Sequence, residues 1–121
     1  MKQTIIIAAL VLLVTIGVTV YFIISEKETN NFSSYQEAIE SGIIQKGWIP
    51  SFIPQSSFNI KEHHRVDVPS IYVELEFKEN DLSSFNNSCN LLQENTYKCE
   101  NSGYPVKVTI RNKSHAIIQS I

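Results

Sequence analysis

The segment "KEHHRVD", Lys61–Asp67, places Glu62, His63, His64, Arg65 and Asp67 together, the one dense cluster of titratable side chains in the chain. Imidazole and carboxylate are groups that transition metals accept as ligands, so the composition permits a metal-dependent or hydrolytic centre built on His64 and Asp67. The spacing opposes it. On a strand His63 and His64 point to opposite faces, and one ion cannot take both without a bulge. No H-E-x-x-H pattern supplies a helical pair, and His115 is the one other histidine. The reading that fits the spacing is structural, with His64 turned toward Asp67 at the strand end and no metal expected.

Other reactive types give no stronger pattern. No serine stands in G-x-S-x-G, and no strand–elbow–helix surrounds one. Glu74 and Glu76 share a strand face as glycosidase carboxylates can, yet alternating acids are ordinary on a solvated face. The four glycines include no phosphate-cradling run, and one of them, Gly17, lies in an apolar segment. From Glu26 onward there are twelve acidic and nine basic residues (the ten of the whole chain less Lys2), a net charge of −3 with no basic stripe. Nucleic acid is thereby excluded as a partner, since phosphate neutralisation supplies most of such affinity. The expectation is a non-enzyme without a cofactor.

A second unusual segment is "GWIPSFIPQSS", Gly47–Ser57, with the single tryptophan and two of four prolines. Pro50 and Pro54 lack an N–H and push the residues before them into extended geometry, which excludes helix and central strand. Trp48, Ile49, Phe52 and Ile53 are then apolar teeth on a stiff strap, laid over the core or offered to a partner. The core reading is preferred, because a small sheet closed on one side needs large apolar groups. Trp48, Pro50, Phe52, Pro54, Glu62, His64 and Asp67 together form the candidate binding or structural site.

Upstream, Thr4–Ile24 carries no charge. As a helix it rises through roughly 30 Å, the hydrocarbon thickness of a bilayer. Tyr21 and Phe22 stand at one end, where aromatic rings favour the headgroup layer. No small-x-small site follows, and the first cysteine, Cys89, is far too late for a lipoprotein signal. Residues 1–24 therefore read as an uncleaved transmembrane signal anchor, with the lipid bilayer as partner of residues 4–24. Lys2 and the amino terminus, against Glu26, Lys27 and Glu28, put the short N-terminus in the cytoplasm and the rest in the periplasm or outside the cell. Cys89 and Cys99, an even count in an exported domain, are expected to pair across nine intervening residues.

Residues 25–34, polar and without period, read as a linker, leaving 35–121 as the extracytoplasmic domain. "SYQEAIESG" predicts a helix with Ser34 as N-cap, Glu37 completing a capping box and Gly42 ending it in the left-handed conformation. Phe58, Ile60 and Glu62 are expected on one face of the next strand. "IYVELEF" alternates, with Ile71, Val73, Leu75 and Phe77 inward. Asp81 is a candidate N-cap for a helix through Leu92, with Leu82, Phe85, Cys89 and Leu92 on its buried stripe. Strands follow at "NTYKCE", "VKVTIRN" and "HAIIQSI". The order predicts an α+β fold, an N-terminal transmembrane helix followed by a small domain with one antiparallel sheet and two short helices.

The run Tyr35–Asp67 resembles a group of small bacterial envelope proteins, some lipoproteins and some membrane-anchored. Their pattern is G-W-[IL]-P, a second hydrophobic–Pro pair with a serine after it, then I-x-E-x-H-x-x-D. It is met here by Gly47, Trp48, Pro50, Pro54, Ser56, Ile60, Glu62, His64 and Asp67. Where the group follows the aspartate with threonine, this chain has Val68–Pro69. The resemblance implies export and fold and brings no activity. The functional expectation is a single-pass protein of the cytoplasmic membrane with a binding or accessory module, another envelope protein being its candidate partner. The alternatives are immunity or inhibition against a toxin, phage factor or hydrolase, and a metal-dependent or hydrolytic module at His64 and Asp67.

Overall fold

The computed structural model describes residues 1–25 and 27–121. Glu26, one of the charges used to orient the anchor, lies outside the described residues. Helix α1, Lys2–Ser25, is exposed on every side as far as Ile24 and is long and apolar enough to cross a bilayer, a property that a signal sequence shares. The head that follows is one antiparallel sheet with two short helices, as the residue pattern predicts.

Strand β1, Lys27–Ser34, replaces the expected linker. It pairs with β2, Phe58–Arg65, in a register that sets Glu28 opposite His64, Asn30 opposite Glu62 and Phe32 opposite Ile60. Its polar sequence suits a sheet edge, where apolar side chains would invite pairing with other chains. Helix α2, Tyr35–Ser41, has the expected caps. The Ser34 hydroxyl accepts from the Glu37 N–H at 3.1 Å, and Gly42 has φ of 81°. The reciprocal bond of the box is shifted by one residue, since the Glu37 carboxylate accepts from the N–H of Ser33 at 2.8 Å.

Next come β3, Ile71–Glu76, and α3, Ser83–Ser88, then β4, Asn90–Gln93, β5, Thr96–Asn101, β6, Tyr104–Arg111, and β7, His115–Ser120. Among the described residues the sheet has seven strands in the order β1-β2-β3-β7-β6-β5-β4, all neighbours antiparallel. The chain crosses from β3 to the far edge, then meanders back until β7 docks beside β3. One face of the sheet carries the core and the other is polar. Val73, Leu75, Val108 and Ile118 are fully buried on the inner face, and α2, the Gly47–Ser57 strap and α3 cover them. Phe85 of α3 meets Phe52, Phe77 and Tyr97 with ring centroids 5.9–6.2 Å apart.

Three local expectations are corrected. Phe58 is 42 % exposed, because Asn59 adopts a positive φ of 47° and breaks the register between Phe58 and Lys61. The second helix stops at Ser88, and Leu92 is exposed beside Leu91 on β4. Asp81 does not cap that helix; its carboxylate accepts from the Ser56 hydroxyl at 2.6 Å and so pins the strap. The expected disulfide is present, joining Cys89 at the end of α3 to Cys99 of β5.

Candidate functional site: a buried Glu–His pair under Trp48 and the groove beside it

Alternation along β2 turns Ile60, Glu62 and His64 inward and Lys61, His63 and Arg65 outward. The two adjacent histidines thus separate as the strand geometry requires. His63 stays exposed on the polar face, where its ring contacts the Thr29 hydroxyl at 2.9 Å and lies beside Tyr72. Glu62 is wholly buried and His64 nearly so, and a buried carboxylate needs partners. Asn30 donates to Oε2 of Glu62 at 2.9 Å, and Nδ1 of His64 meets Oε1 at 2.6 Å. The other imidazole nitrogen faces Glu28 of β1 at 3.3 Å, at the rim of the site.

Asp67 does not take the part expected of it. Its carboxylate accepts from Nε of Arg65 at 2.9 Å, outside the head's interior, and that contact holds Asp67 below the usual carboxylate range. His64 instead turns to Glu62, two residues back on its own face. The turn that follows the strand explains the difference. Val66–Pro69 carries the chain away from the inner face, so the nearest carboxylate for an inward imidazole is the one before it on the strand.

Above His64 lies Trp48, with ring centroids 3.8 Å apart and planes inclined by 9°. The stack closes the imidazole from one side while leaving Trp48 itself half-buried. The strap that delivers Trp48 is held at both ends. Gly47, with φ of 83°, accepts on its carbonyl from the Asn101 side chain at 2.7 Å, and a Cβ on Gly47 would come within 2.8 Å of the Ser102 hydroxyl. Ile49, Pro50, Phe52, Ile53 and Pro54 are buried. Most of the cassette is therefore strap, as preferred, and Trp48 is its one tooth that also reaches the surface.

Chemically the buried cluster has little freedom. The carboxylates of Glu62 and Glu28 meet different nitrogens of one imidazole, so the three groups do not converge on a single point where an ion would bind. Among the described residues no set of three His, Cys, Asp or Glu side chains is arranged to hold a metal. Hollows of about 250 and 150 Å³ have His64 and Glu28 among their lining residues, and a further space that includes neither lies next door. A groove of about 330 Å³ runs between Lys46, Gly47 and Trp48, the Val66–Pro69 turn, and the Asn101–Tyr104 hairpin turn. Ile71 and Val106 contribute to its walls.

Tyr104, Val66, Val68 and Asn30 are the participants that residue patterns did not single out. Val66–Val68 stand in a turn and Tyr104 is the exposed first residue of β6, beside the hairpin turn, so no alternation marks a face for them. Asn30 was hidden by the polar run read as a linker. The signal that could have found it is the pairing need of Glu62, an acid placed on an apolar strand face.

A family model, the YbbD head domain, matches residues 26–86. The match runs from β1 into α3, hence over Glu28, Asn30, Trp48, Glu62, His64 and Asp67, and ends before both cysteines and Tyr104. No curated protein and no solved structure matches the chain.

Proposed function

The chain belongs to the YbbD head domain family, and from that premise we propose a single-pass envelope protein whose head is a non-enzymatic binding module. Helix α1 anchors it in the cytoplasmic membrane, the head stands on the far side from the cytoplasm, and the groove between Trp48 and Tyr104 is its contact surface. The observation that carries this reading is that, among the described residues, the buried Glu62–His64 pair has a partner at every face the strand and strap present. Glu62 is held by Asn30 and His64, and His64 is faced by Glu62 and Glu28 and roofed by Trp48, so both groups are already engaged within the head. The same stack fixes Trp48 as a preset wall of the groove. A wall that is already ordered loses little side-chain freedom when a partner arrives.

Two measurements test the reading. Alkaline phosphatase fused after Ile121 should be active with the protein in the membrane fraction, and inactive fusions would reverse the topology. In a deletion strain complemented with the full chain, Tyr104→Ala should behave as the deletion. His64→Gln should restore function in proportion to the folded protein that reaches the membrane. A His64→Gln variant that is fully folded and inert would return the site to the imidazole and reinstate an enzyme.

A further inference from the structure

The groove lies at one end of the sheet, and the strand registers say which end. Strand β1 starts at Lys27, opposite Arg65 at the end of β2. The Val66–Ser70 turn and the start of β3 follow at that end. Gln119 near the end of β7 pairs with Tyr72, and Ser120 pairs with Val106 near the start of β6. The Asn101–Tyr104 turn, which closes the β5–β6 hairpin, completes the same edge. Every segment lining the groove outside the strap thus belongs to the end of the head at which the chain leaves α1. Between the last residue of α1, Ser25, and the first of β1, Lys27, there is one residue, so their Cα atoms are at most about 7 Å apart.

This end is also where the head exposes its apolar side chains. Seven large hydrophobic residues of the described head are exposed: Phe58, Val66, Val68, Leu91, Leu92, Tyr104 and Ile121. Four of them gather here, with Val66 54 %, Val68 40 %, Tyr104 52 % and Ile121 70 % accessible. Lys46 is exposed on the groove wall, while the nearby Asp67 is engaged by Arg65. An apolar rim with an aromatic hydroxyl and an ammonium suits the boundary between acyl chains and anionic headgroups. Trp48 and Tyr104 on facing walls are the amphipathic rings that this layer favours.

Resting on the reading of the groove as contact surface and α1 as a retained anchor, we propose that the partner it meets is the lipid interface of the same membrane. The head lies with its Val66–Val68 and Tyr104 rim in the headgroup–acyl boundary and a lipid chain entering beside Trp48. The short tether brings the surface there, and the apolar rim holds it.

Trp48 is the one tryptophan of the chain, so its emission reports on the groove directly. The full chain is reconstituted in vesicles of phosphatidylcholine and phosphatidylglycerol, with or without bromine at carbons 6 and 7 of the acyl chains. Brominated lipid should quench Trp48 at least twofold. Val66→Asp with Val68→Asp, both exposed and so tolerated by the fold, should remove most of that quenching without changing the melting temperature. A twelve-residue Gly/Ser spacer between Ser25 and Lys27 should leave the quenching in place. Absence of quenching in the wild type, equal quenching in the double variant, or its loss with the spacer would each overturn lipid as the partner. If quenching fails while Tyr104→Ala still behaves as the deletion, the contact surface stands and its partner is a protein or other envelope component.

Discussion

On the β1–β3 side of the sheet, Glu62 and His64 sit inside the head as a hydrogen-bonded pair under Trp48. On the β4–β7 side the buried residues are Tyr97, Cys99, Val106, Val108, Ile110, Ala116 and Ile118, with no buried acid, base or amide among them. That side is fastened by the Cys89–Cys99 bond instead. A head of fewer than a hundred residues buries a modest core, and each flank supplements it by a different means. The covalent tie constrains the unfolded chain and tolerates many neighbours. The polar pair works only when each member has its partner, because an unpaired buried charge is costly. The flank with the exacting requirement is also the one that presents Trp48, so order at the surface there follows from order beneath it.

The sharpest way to break this comparison is to orphan one member of the pair. His64→Ala leaves the Glu62 carboxylate buried with Asn30 alone, and should cost about 3–5 kcal/mol in denaturant unfolding of the full chain in micelles. Replacing both, Glu62→Met with His64→Leu, should recover most of that loss, since a packed apolar pair often equals a buried ionic one. A mild His64→Ala would mean that water reaches Glu62 and that the two flanks differ less than their burial indicates.

On the other flank, Cys99→Ser should lower stability by about 2–3 kcal/mol, the loop-closure value for a ring of this size. The same amount should be lost on reduction of the wild type, and the His64 effect should be additive with it, because the two sites share no partner. Trp48→Ala comes next, at about 2 kcal/mol, since a half-exposed ring contributes less than the 3–5 expected of a buried one. Acrylamide should quench Trp48 partly in the folded Val66→Asp, Val68→Asp variant, whose groove is not held in the acyl layer. Complete protection would make the ring a core residue and close the groove.

The strands of the core were legible where alternation is strict. Ile71, Val73 and Leu75 face inward as their period requires, as do Val106, Val108 and Ile110. Caps at Ser34 and Gly42 were legible because each satisfies a helix end locally. Strand β1 was not, since an edge strand of a one-faced sheet needs few apolar residues and shows only Phe32. The helix through Leu92 read too long because Leu91 and Leu92 fit a helical stripe, while the Cys89 bond and pairing with β5 draw them into an extended edge. At the site, the strap and the inward Glu62 were readable from proline and parity. The partner of His64 was misread, because two residues along a strand return to the same face and the turn toward Asp67 does not. The groove was invisible for a different reason. Its walls come from the strap and from two turns with their adjoining strand ends, and only the strand registers bring those turns to one end.

The smallest expected effect concerns Asp67, the acid that stands outside the buried network. Arg65 beside it holds its carboxyl below the usual carboxylate range, a depressed folded value. The stability it contributes is therefore present above the unfolded pKa and fades as the pH falls through the folded one. The pair is exposed, so salt screens it and the contribution is slight. Melting temperatures of wild type and Asp67→Asn should differ marginally at pH 7, converge in acid once the pH has fallen through the depressed folded value, and converge at every pH in 1 M salt. A salt-resistant difference, or one that persists in acid, would mean that Asp67 acts through the buried side of the sheet after all. The contrast between an interior pair that must be complete and a surface pair that need not be would then fail at its surface member.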